Sequence, residues 1–182
     1  MIFAAVDRFF CGLIAFAFAC SLPAFGIAGS LPNGATSLVE THGDWQLNCV
    51  DGDAGIVCAI TQTRIAEDTG QQIIAVELRS DGNGGLTGVL VMPFGLSLGE
   101  GVLVGIDDQE ANAVLGFSTC LPMGCIVPVG FDASVVAAFS DANNLLITAT
   151  ANDTGDPVTL PVSLNGLTAA FAGMEDILAN GS

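Results

Sequence analysis

Four cysteines are the residues whose type and spacing most directly indicate chemistry in this sequence. They are Cys49, Cys58, Cys120 and Cys125. Because each sequential pair brackets a short turn-forming segment, the spacing favours Cys49–Cys58 and Cys120–Cys125 among the three possible pairings. Local disulfides of this kind are expected to add about 2–3 kcal/mol each to the free energy of unfolding.

Two other kinds of cysteine chemistry fit the spacing less well. Structural zinc sites use cysteine pairs separated by two residues, whereas eight and four residues separate these pairs. No histidine accompanies them, so no metal site is assigned to the cysteines. Thiol–disulfide exchange at Cys120 and Cys125 stays open as an alternative, although the two do not form a Cys-x-x-Cys motif.

Carboxylates cluster in predicted turns, where they resemble the oxygen ligands that Ca²⁺ prefers. The clusters are Asp51 with Asp53, Asp107 with Asp108 and Glu110, and Asp153 with Asp156. Residues 81–92 begin like an EF-hand loop, but Met92 occupies the twelfth position, where a bidentate glutamate is required. Calcium held between two loops therefore remains an alternative, and no metal ligand is assigned.

Groups for acid–base catalysis are scarce. His42 is the only histidine, and the chain has neither tyrosine nor lysine. Because His42 stands next to a glycine and an aspartate near a predicted loop, it is interpreted as a solvated residue. We therefore predict that the protein is not an enzyme, has no catalytic residue and needs no cofactor.

The charge balance excludes whole classes of partner. Three basic residues face 19 acidic ones, which gives a formal net charge of −16. Nucleic acid and anionic lipid would be repelled, so any charged partner is expected to be cationic. Apolar residues make up 51% of the chain, which is ample for one folded domain.

The first 28 residues have the pattern of a secretory signal peptide. Arg8 precedes an apolar run over residues 9–20, and small residues at Gly26 and Ala28 suggest cleavage after Ala28. A retained anchor and a lipidated Cys20 are the alternatives. Cleavage would leave no stable membrane span, with a flexible leader over residues 29–42 and a single domain over residues 43–180.

Short runs rich in β-branched residues indicate that the domain is built from strands. The predicted strands are residues 44–50, 56–63, 72–79, 86–92, 101–106, 114–120, 125–129, 145–151 and 158–164. Turn residues separate nearly all of them, which predicts an antiparallel all-β sandwich. Helical patterns at residues 132–139 and 167–178 add a short insert, with Asp132 as its N-cap, and a C-terminal helix.

Several motifs in order along the chain resemble the invasion-associated locus B family. They are Gly43-Asp44-Trp45 ahead of Cys49 and Cys58; Met92-Pro93-Phe94-Gly95-Leu96-Ser97-Leu98-Gly99-Glu100-Gly101-Val102 leading to Ile106-Asp107; Phe117-Ser118-Thr119-Cys120 with Gly124-Cys125; and Leu160-Pro161-Val162-Ser163-Leu164-Asn165-Gly166-Leu167. The likeness spans roughly residues 43 to 178, and the order of the motifs carries it.

This resemblance implies an immunoglobulin-like β-sandwich that is periplasmic or secreted in a Gram-negative, mostly alphaproteobacterial, cell. The family has no established enzymatic activity and is linked in pathogens to host-cell invasion. The four cysteines then transfer as structural disulfides. The expected function is a binding or accessory module for a protein or envelope partner; the alternative is a periplasmic thiol–disulfide or calcium-binding accessory protein. Neither the partner nor the oligomeric state can be read from the sequence.

Overall fold

The computed structural model describes residues 31–107, 109 and 114–181. Within this part of the chain, eleven strands form two antiparallel sheets that enclose one core. The strands are β1 (Ser37–His42), β2 (Trp45–Gly52), β3 (Gly55–Ile65), β4 (Gln72–Ser80), β5 (Leu86–Met92), β6 (Val102–Ile106), β7 (Val114–Leu115), β8 (Thr119–Leu121), β9 (Gly124–Phe131), β10 (Asn144–Thr150) and β11 (Pro157–Ser163).

The two sheets are unequal in size. The larger has seven strands in the order β1-β2-β3-β4-β5-β9-β8, and the smaller has four in the order β11-β10-β6-β7. Strands β1 to β5 follow one another as hairpins because polar turns separate them. In the β4–β5 turn, the Asp81 carboxylate accepts hydrogen bonds from the backbone N–H groups of Asn83 and Gly85.

Alternation of apolar and polar residues determines which face of each strand is buried. In β2, Trp45, Leu47 and Cys49 point into the core, whereas Gln46 and Val50 lie on the outer face. The smaller sheet contributes buried side chains in the same way; they include Leu145, Ile147 and Val162. The core is therefore the space between the two inner faces, as expected for a sandwich.

Two helices complete the fold. Helix α1 (Ala133–Ala138) begins after Asp132, whose carboxylate accepts hydrogen bonds from the backbone N–H groups of Ser134 and Val135. Helix α2 (Leu167–Asn180) buries Leu167, Ala170 and Met174 and packs mainly against β1, β2 and β3. It therefore covers the end of the larger sheet formed by β1, β2 and β3. Neither described helix is long and apolar enough to cross a membrane.

The predicted antiparallel β-sandwich with a helical insert and a C-terminal helix is confirmed. The N-cap at Asp132 and the hairpin of the first two predicted strands are also confirmed. The predicted signal peptide, residues 1–28, lies outside the described residues.

Two expectations are corrected. The flexible leader over residues 29–42 is wrong in its second half, because residues 37–42 form β1 and pair with β2 along their whole length. Leu31 is also buried in the core, at 1% exposure. The single strand expected over residues 114–120 is two strands, since β7 pairs with β6 in the smaller sheet and β8 pairs with β9 in the larger.

Candidate functional site

The first cysteine pair lies in the core of the larger sheet. Cys49 on β2 and Cys58 on β3 are directly opposite each other, with their sulfur atoms 1.98 Å apart. The two residues are 1% and 5% exposed. This bridge therefore braces the β2–β3 hairpin from the core side, where it is almost completely shielded from solvent.

The second cysteine pair closes the β8–β9 hairpin at the edge of the same sheet. Cys120 and Cys125 are opposite each other, and their sulfur atoms are also 1.98 Å apart. Cys125 is buried and Cys120 is exposed. The structure thus places both pairs in the connectivity that the spacing favours, and the second bridge holds the intervening turn, residues 121–124, in a fixed loop.

Removal of either bridge is expected to destabilise the fold without changing its topology. For C49A/C58A we expect the free energy of unfolding to fall by about 2–3 kcal/mol, because the open loop regains entropy in the unfolded chain. For C120A/C125A we expect a loss of about 2 kcal/mol, because the loop is shorter. Urea unfolding of the oxidised proteins measures both losses. A reductant should lower the stability of the wild type and leave a variant that lacks both bridges unchanged; equal curves with and without reductant would refute the prediction.

His42 is engaged with a neighbour on its own strand. Its Nε2 lies 3.2 Å from Oε2 of Glu40, and both side chains lie on the face of β1 that is covered by α2 near Gly173. The imidazole therefore has a carboxylate on one side and the backbone of α2 on another. The pair is therefore better explained as part of the contact between β1 and α2 than as a catalytic base.

One pattern was missed in the sequence argument against an enzyme. Residues 95–99 read Gly-Leu-Ser-Leu-Gly, which matches the nucleophile elbow of α/β-hydrolases. That elbow requires a strained turn between a strand and an α-helix, whereas Ser97 has φ −76° and ψ 90° and precedes the short 3₁₀ segment Leu98–Glu100. Within the described part of the chain, His42 Nε2 pairs with Glu40 and the Ser97 N–H donates to the Thr150 carbonyl, and no hydrogen bond joins Ser97 to His42. The match therefore lacks the context that the chemistry needs.

Among the described turn carboxylates, those of Asp81 and Asp107 accept backbone hydrogen bonds. Among the described residues, no three His, Cys, Asp or Glu side chains come together in a group that could hold a metal ion. Asp108 and Glu110, two members of the predicted clusters, lie outside the described residues. The described carboxylates therefore give no support to the calcium alternative.

Asp107 gives a pH-dependent prediction. The backbone N–H groups of Asn143 and Asn144 donate to its carboxylate at 2.8–3.2 Å and lower the pKa of Asp107. Because the folded-state pKa lies below the unfolded value of about 3.9, the stabilisation is present above that pH and is lost as the pH falls through the folded pKa.

Asparagine in place of Asp107 removes the charge and tolerates the positive φ of 45° at this position. We expect D107N to be less stable than the wild type at pH 7, with a difference that shrinks in urea titrations as the pH falls through the folded-state pKa of Asp107. A difference that does not change with pH would rule out this role for the charge.

Two of the sequence motifs meet at a hydrogen-bonded seam, which we define as residues 43–45 with residues 163–166. The Asp44 carboxylate accepts a hydrogen bond of 2.6 Å from Ser163 Oγ, and the Asp44 N–H donates to the Asn165 carbonyl at 3.1 Å. Trp45 Nε1 donates to the Ser163 carbonyl at 2.8 Å. The seam therefore ties the start of β2 to the end of β11, across the two sheets.

A buried glutamine that the sequence analysis did not identify completes this seam. Gln62 on β3 is 6% exposed; its Nε2 donates to the Ser163 carbonyl, and its Oε1 accepts from the Ser163 N–H, each at 3.0 Å. Its sequence signal is a polar residue at an inward position of an alternating strand. The Gln62 amide therefore pairs with Ser163 as a neighbouring strand would, because it satisfies both the N–H and the carbonyl of that residue.

A cleft of about 600 Å³ opens beside the seam. Its polar lining comprises Ser140, Asn143, Asn144, Asn165 and Thr168, together with Ser163. No lining residue carries an ionisable side chain. Such a lining can hydrogen-bond a neutral polar group, but it offers no general acid, base or charged ligand for catalysis.

Comparison with known proteins places this architecture in a family. The family model described as "Invasion associated locus B (IalB) protein" matches residues 45–175, which include both cysteine pairs and most of the seam. This chain belongs to the IalB family. An invasion protein B homolog of Brucella abortus (strain 2308) is 42% identical over 158 residues, covering 87% of this chain and 91% of that protein. Invasion protein B of Bartonella bacilliformis is 32% identical over 141 residues, covering 76% of this chain and 75% of that protein.

A solved structure supports the same assignment of the IalB fold. The crystal structure of invasion associated protein B from Bartonella henselae is 31% identical to this chain, with a TM-score of 0.72. The match covers 78% of this chain and 97% of that one. The described sandwich therefore corresponds to nearly the whole of the solved IalB chain.

Proposed function

We propose that this IalB-family chain is an exported, non-enzymatic binding module that works in the periplasm or outside a Gram-negative cell. The observation that carries the proposal is the family relationship, because the relatives at 42% and 32% identity are named as invasion proteins and not as enzymes. The name of those relatives points to contact with another surface. On this proposal the sandwich is a rigid scaffold that presents its loops to a protein or envelope partner.

One structural feature agrees with export, and another agrees with a binding role. Both cysteine pairs lie at bonding distance, and disulfides form and persist in oxidising compartments. His42, the carboxylates of Asp81 and Asp107, and the seam residues are engaged in contacts that hold the fold together. Surface loops that carry no catalytic group are more suitable for recognition than for turnover.

Intact mass spectrometry tests the export step. The full chain is expressed in a Gram-negative host, and the protein is recovered separately from the periplasm, the membrane fraction and the medium. We expect a mass that begins at Gly29, with no thiol available for alkylation until a reductant is added. A cytoplasmic protein that retains residues 1–28 would overturn the proposal, and a lipidated Cys20 would replace a free module with an anchored one.

Partner capture tests the binding step. A cleavable cross-linker is applied to intact cells, and species joined to the tagged exported protein are identified with an unrelated exported β-sandwich as the control. A specific envelope or host-surface species supports the module. If the exported protein is cross-linked only to species that the control protein also captures, the proposed binding role is contradicted. Exchange of the Cys120–Cys125 bond with glutathione at an oxidoreductase-like potential would instead favour the redox alternative.

A further inference from the structure

Four large apolar side chains are exposed near one end of the sandwich; we call them the apolar tip. They are Phe94, Leu98, Leu121 and Met123, at 63%, 45%, 45% and 65% exposure. Exposed aromatic and methionine side chains are typical anchors of protein interfaces, because they bury a large area when a partner docks. A set of this kind on a rigid scaffold marks an interaction surface.

Strand pairing brings these residues to the same end of the fold. Met92, the last residue of β5, pairs with Cys125 of β9, and Leu121 pairs with Gly124 in the adjoining hairpin. Phe94 lies two residues beyond Met92, and Met123 lies two residues before Cys125, so both follow this strand pair at the same end. A Cβ on Gly124 would contact the Met92 carbonyl oxygen, so the hairpin packs directly against the end of β5.

The segment that carries Phe94 and Leu98 is also tied to the smaller sheet. Leu96 forms a bridge with Ala151, and the Asn152 N–H donates to the Gly95 carbonyl at 2.8 Å. The Ser97 N–H donates to the Thr150 carbonyl at 2.8 Å. Together with the Cys120–Cys125 bridge, these contacts hold the tip in one shape, which reduces the entropy that binding would otherwise lose.

The charge around the tip has one sign. Glu100 follows Leu98 in the 3₁₀ segment, and Asp153 and Asp156 are exposed in the turn that bonds to Gly95. Residues 93–101, 119–125 and 151–157 contain no basic residue. Of the described arginines, Arg64 donates to the Pro161 carbonyl and Arg79 pairs with Glu77. The tip therefore combines an apolar centre with an uncompensated acidic rim.

From this combination we infer that the apolar tip docks a cationic amphipathic segment of a partner protein, one that presents apolar side chains flanked by arginine or lysine. The inference rests on the proposed function, since it names the partner chemistry of the same binding module. Charge complementarity selects this occupant. An anionic membrane or a second copy of this chain, which carries a formal charge of −16, would be repelled by the rim.

The test uses the protein purified from the compartment where it accumulates and a fluorescein-labelled helical peptide of leucine and lysine with amphipathic spacing. Binding is followed by fluorescence anisotropy at about 0.15 M salt. F94S/M123S is expected to weaken binding about tenfold or more. The matched control is V39S, whose side chain is also 63% exposed but lies on β1, and it should change binding less than about twofold.

A second pair of variants tests the acidic rim. E100Q/D153N is expected to weaken binding by several-fold and to reduce its salt dependence, because two attractive charges are removed. D51N/D53N removes the same number of charges in and beside the β2–β3 turn and should leave the affinity nearly unchanged. Circular dichroism melts of all variants should match the wild type, since every substituted side chain is exposed.

Three results would overturn the inference. The first is equal loss of binding in F94S/M123S and V39S. The second is equal binding of a peptide with the same composition in scrambled order. The third is a Phe94-dependent association with phosphatidylcholine vesicles, or with a second copy of the chain in sedimentation, in preference to the peptide. If cross-linking still captures a specific partner when the tip is substituted, the proposed function stands and the tip is not its docking surface.

Discussion

Replacing Trp45 with alanine is expected to lower the free energy of unfolding by about 3–5 kcal/mol, because the largest side chain of the core is fully buried. The indole fills the space between β2 and the end of β11, where Nε1 donates to the Ser163 carbonyl. The surrounding sheets are held by backbone hydrogen bonds and close only partly over such a cavity. Loss of this size is a large fraction of the stability of a domain.

Phenylalanine at the same position separates packing from hydrogen bonding. W45F keeps most of the apolar volume and removes the Nε1 donor, while Gln62 still donates to the same Ser163 carbonyl. No buried acceptor is left without a partner, so we expect a loss of only about 1–2 kcal/mol. Comparison of W45A with W45F should therefore show that most of the stability lost in W45A comes from lost side-chain volume.

Tryptophan fluorescence cannot be used to compare the three proteins, because both substitutions remove the tryptophan. Trp45 is the only tryptophan in the chain, so its fluorescence reports unfolding of the wild type alone. Far-UV circular dichroism follows all three proteins in urea on the same scale. An alanine variant that loses no more stability than the phenylalanine variant would show that the core near the seam repacks freely, which would remove the structural role assigned to this tryptophan.

The strands could be predicted because their apolar alternation is local. β5 has the predicted bounds, residues 86–92, and the other long strands differ from prediction by one to three residues at their ends. The predictions are wrong where the conformation depends on pairing with a strand that is distant in the sequence. β1 carries no clear alternation, yet it is extended because β2 offers a free edge, and residues 114–121 divide between two sheets.

The candidate site was predictable only in its local parts. Each cysteine pair lies within one hairpin, so turn residues between the cysteines were enough to suggest the pairing. The seam joins residues more than 100 positions apart. The tip joins two separate segments of the chain, residues 94–98 and 121–123. The residue pattern of a single segment does not indicate which distant segment it contacts. The only local signals of exposure are weak: Phe94 stands between a proline and a glycine, and Met123 lies between the two cysteines of the second bridge.

Gly166 is the position where a single methyl group should disturb the seam most. Its φ is +91°, and a Cβ at this position would overlap the carbonyl oxygen of His42. We expect G166A to lower the free energy of unfolding by about 3–5 kcal/mol, since the left-handed conformation and the forced movement of backbone both oppose the side chain. Urea unfolding followed by tryptophan fluorescence measures this loss, because Trp45 lies in the seam.

A second glycine isolates the steric part of that effect. Gly82 in the β4–β5 turn has a similar φ of +75°, and a Cβ there would have no neighbour within 4 Å. G82A should therefore lose only the conformational cost of about 1–2 kcal/mol. The difference between the two variants measures how tightly the start of α2 is pressed against the turn between β1 and β2. If the two losses are equal, residues 42 and 43 move aside at little cost, and the seam holds the two sheets together through Asp44, Trp45 and Gln62 alone.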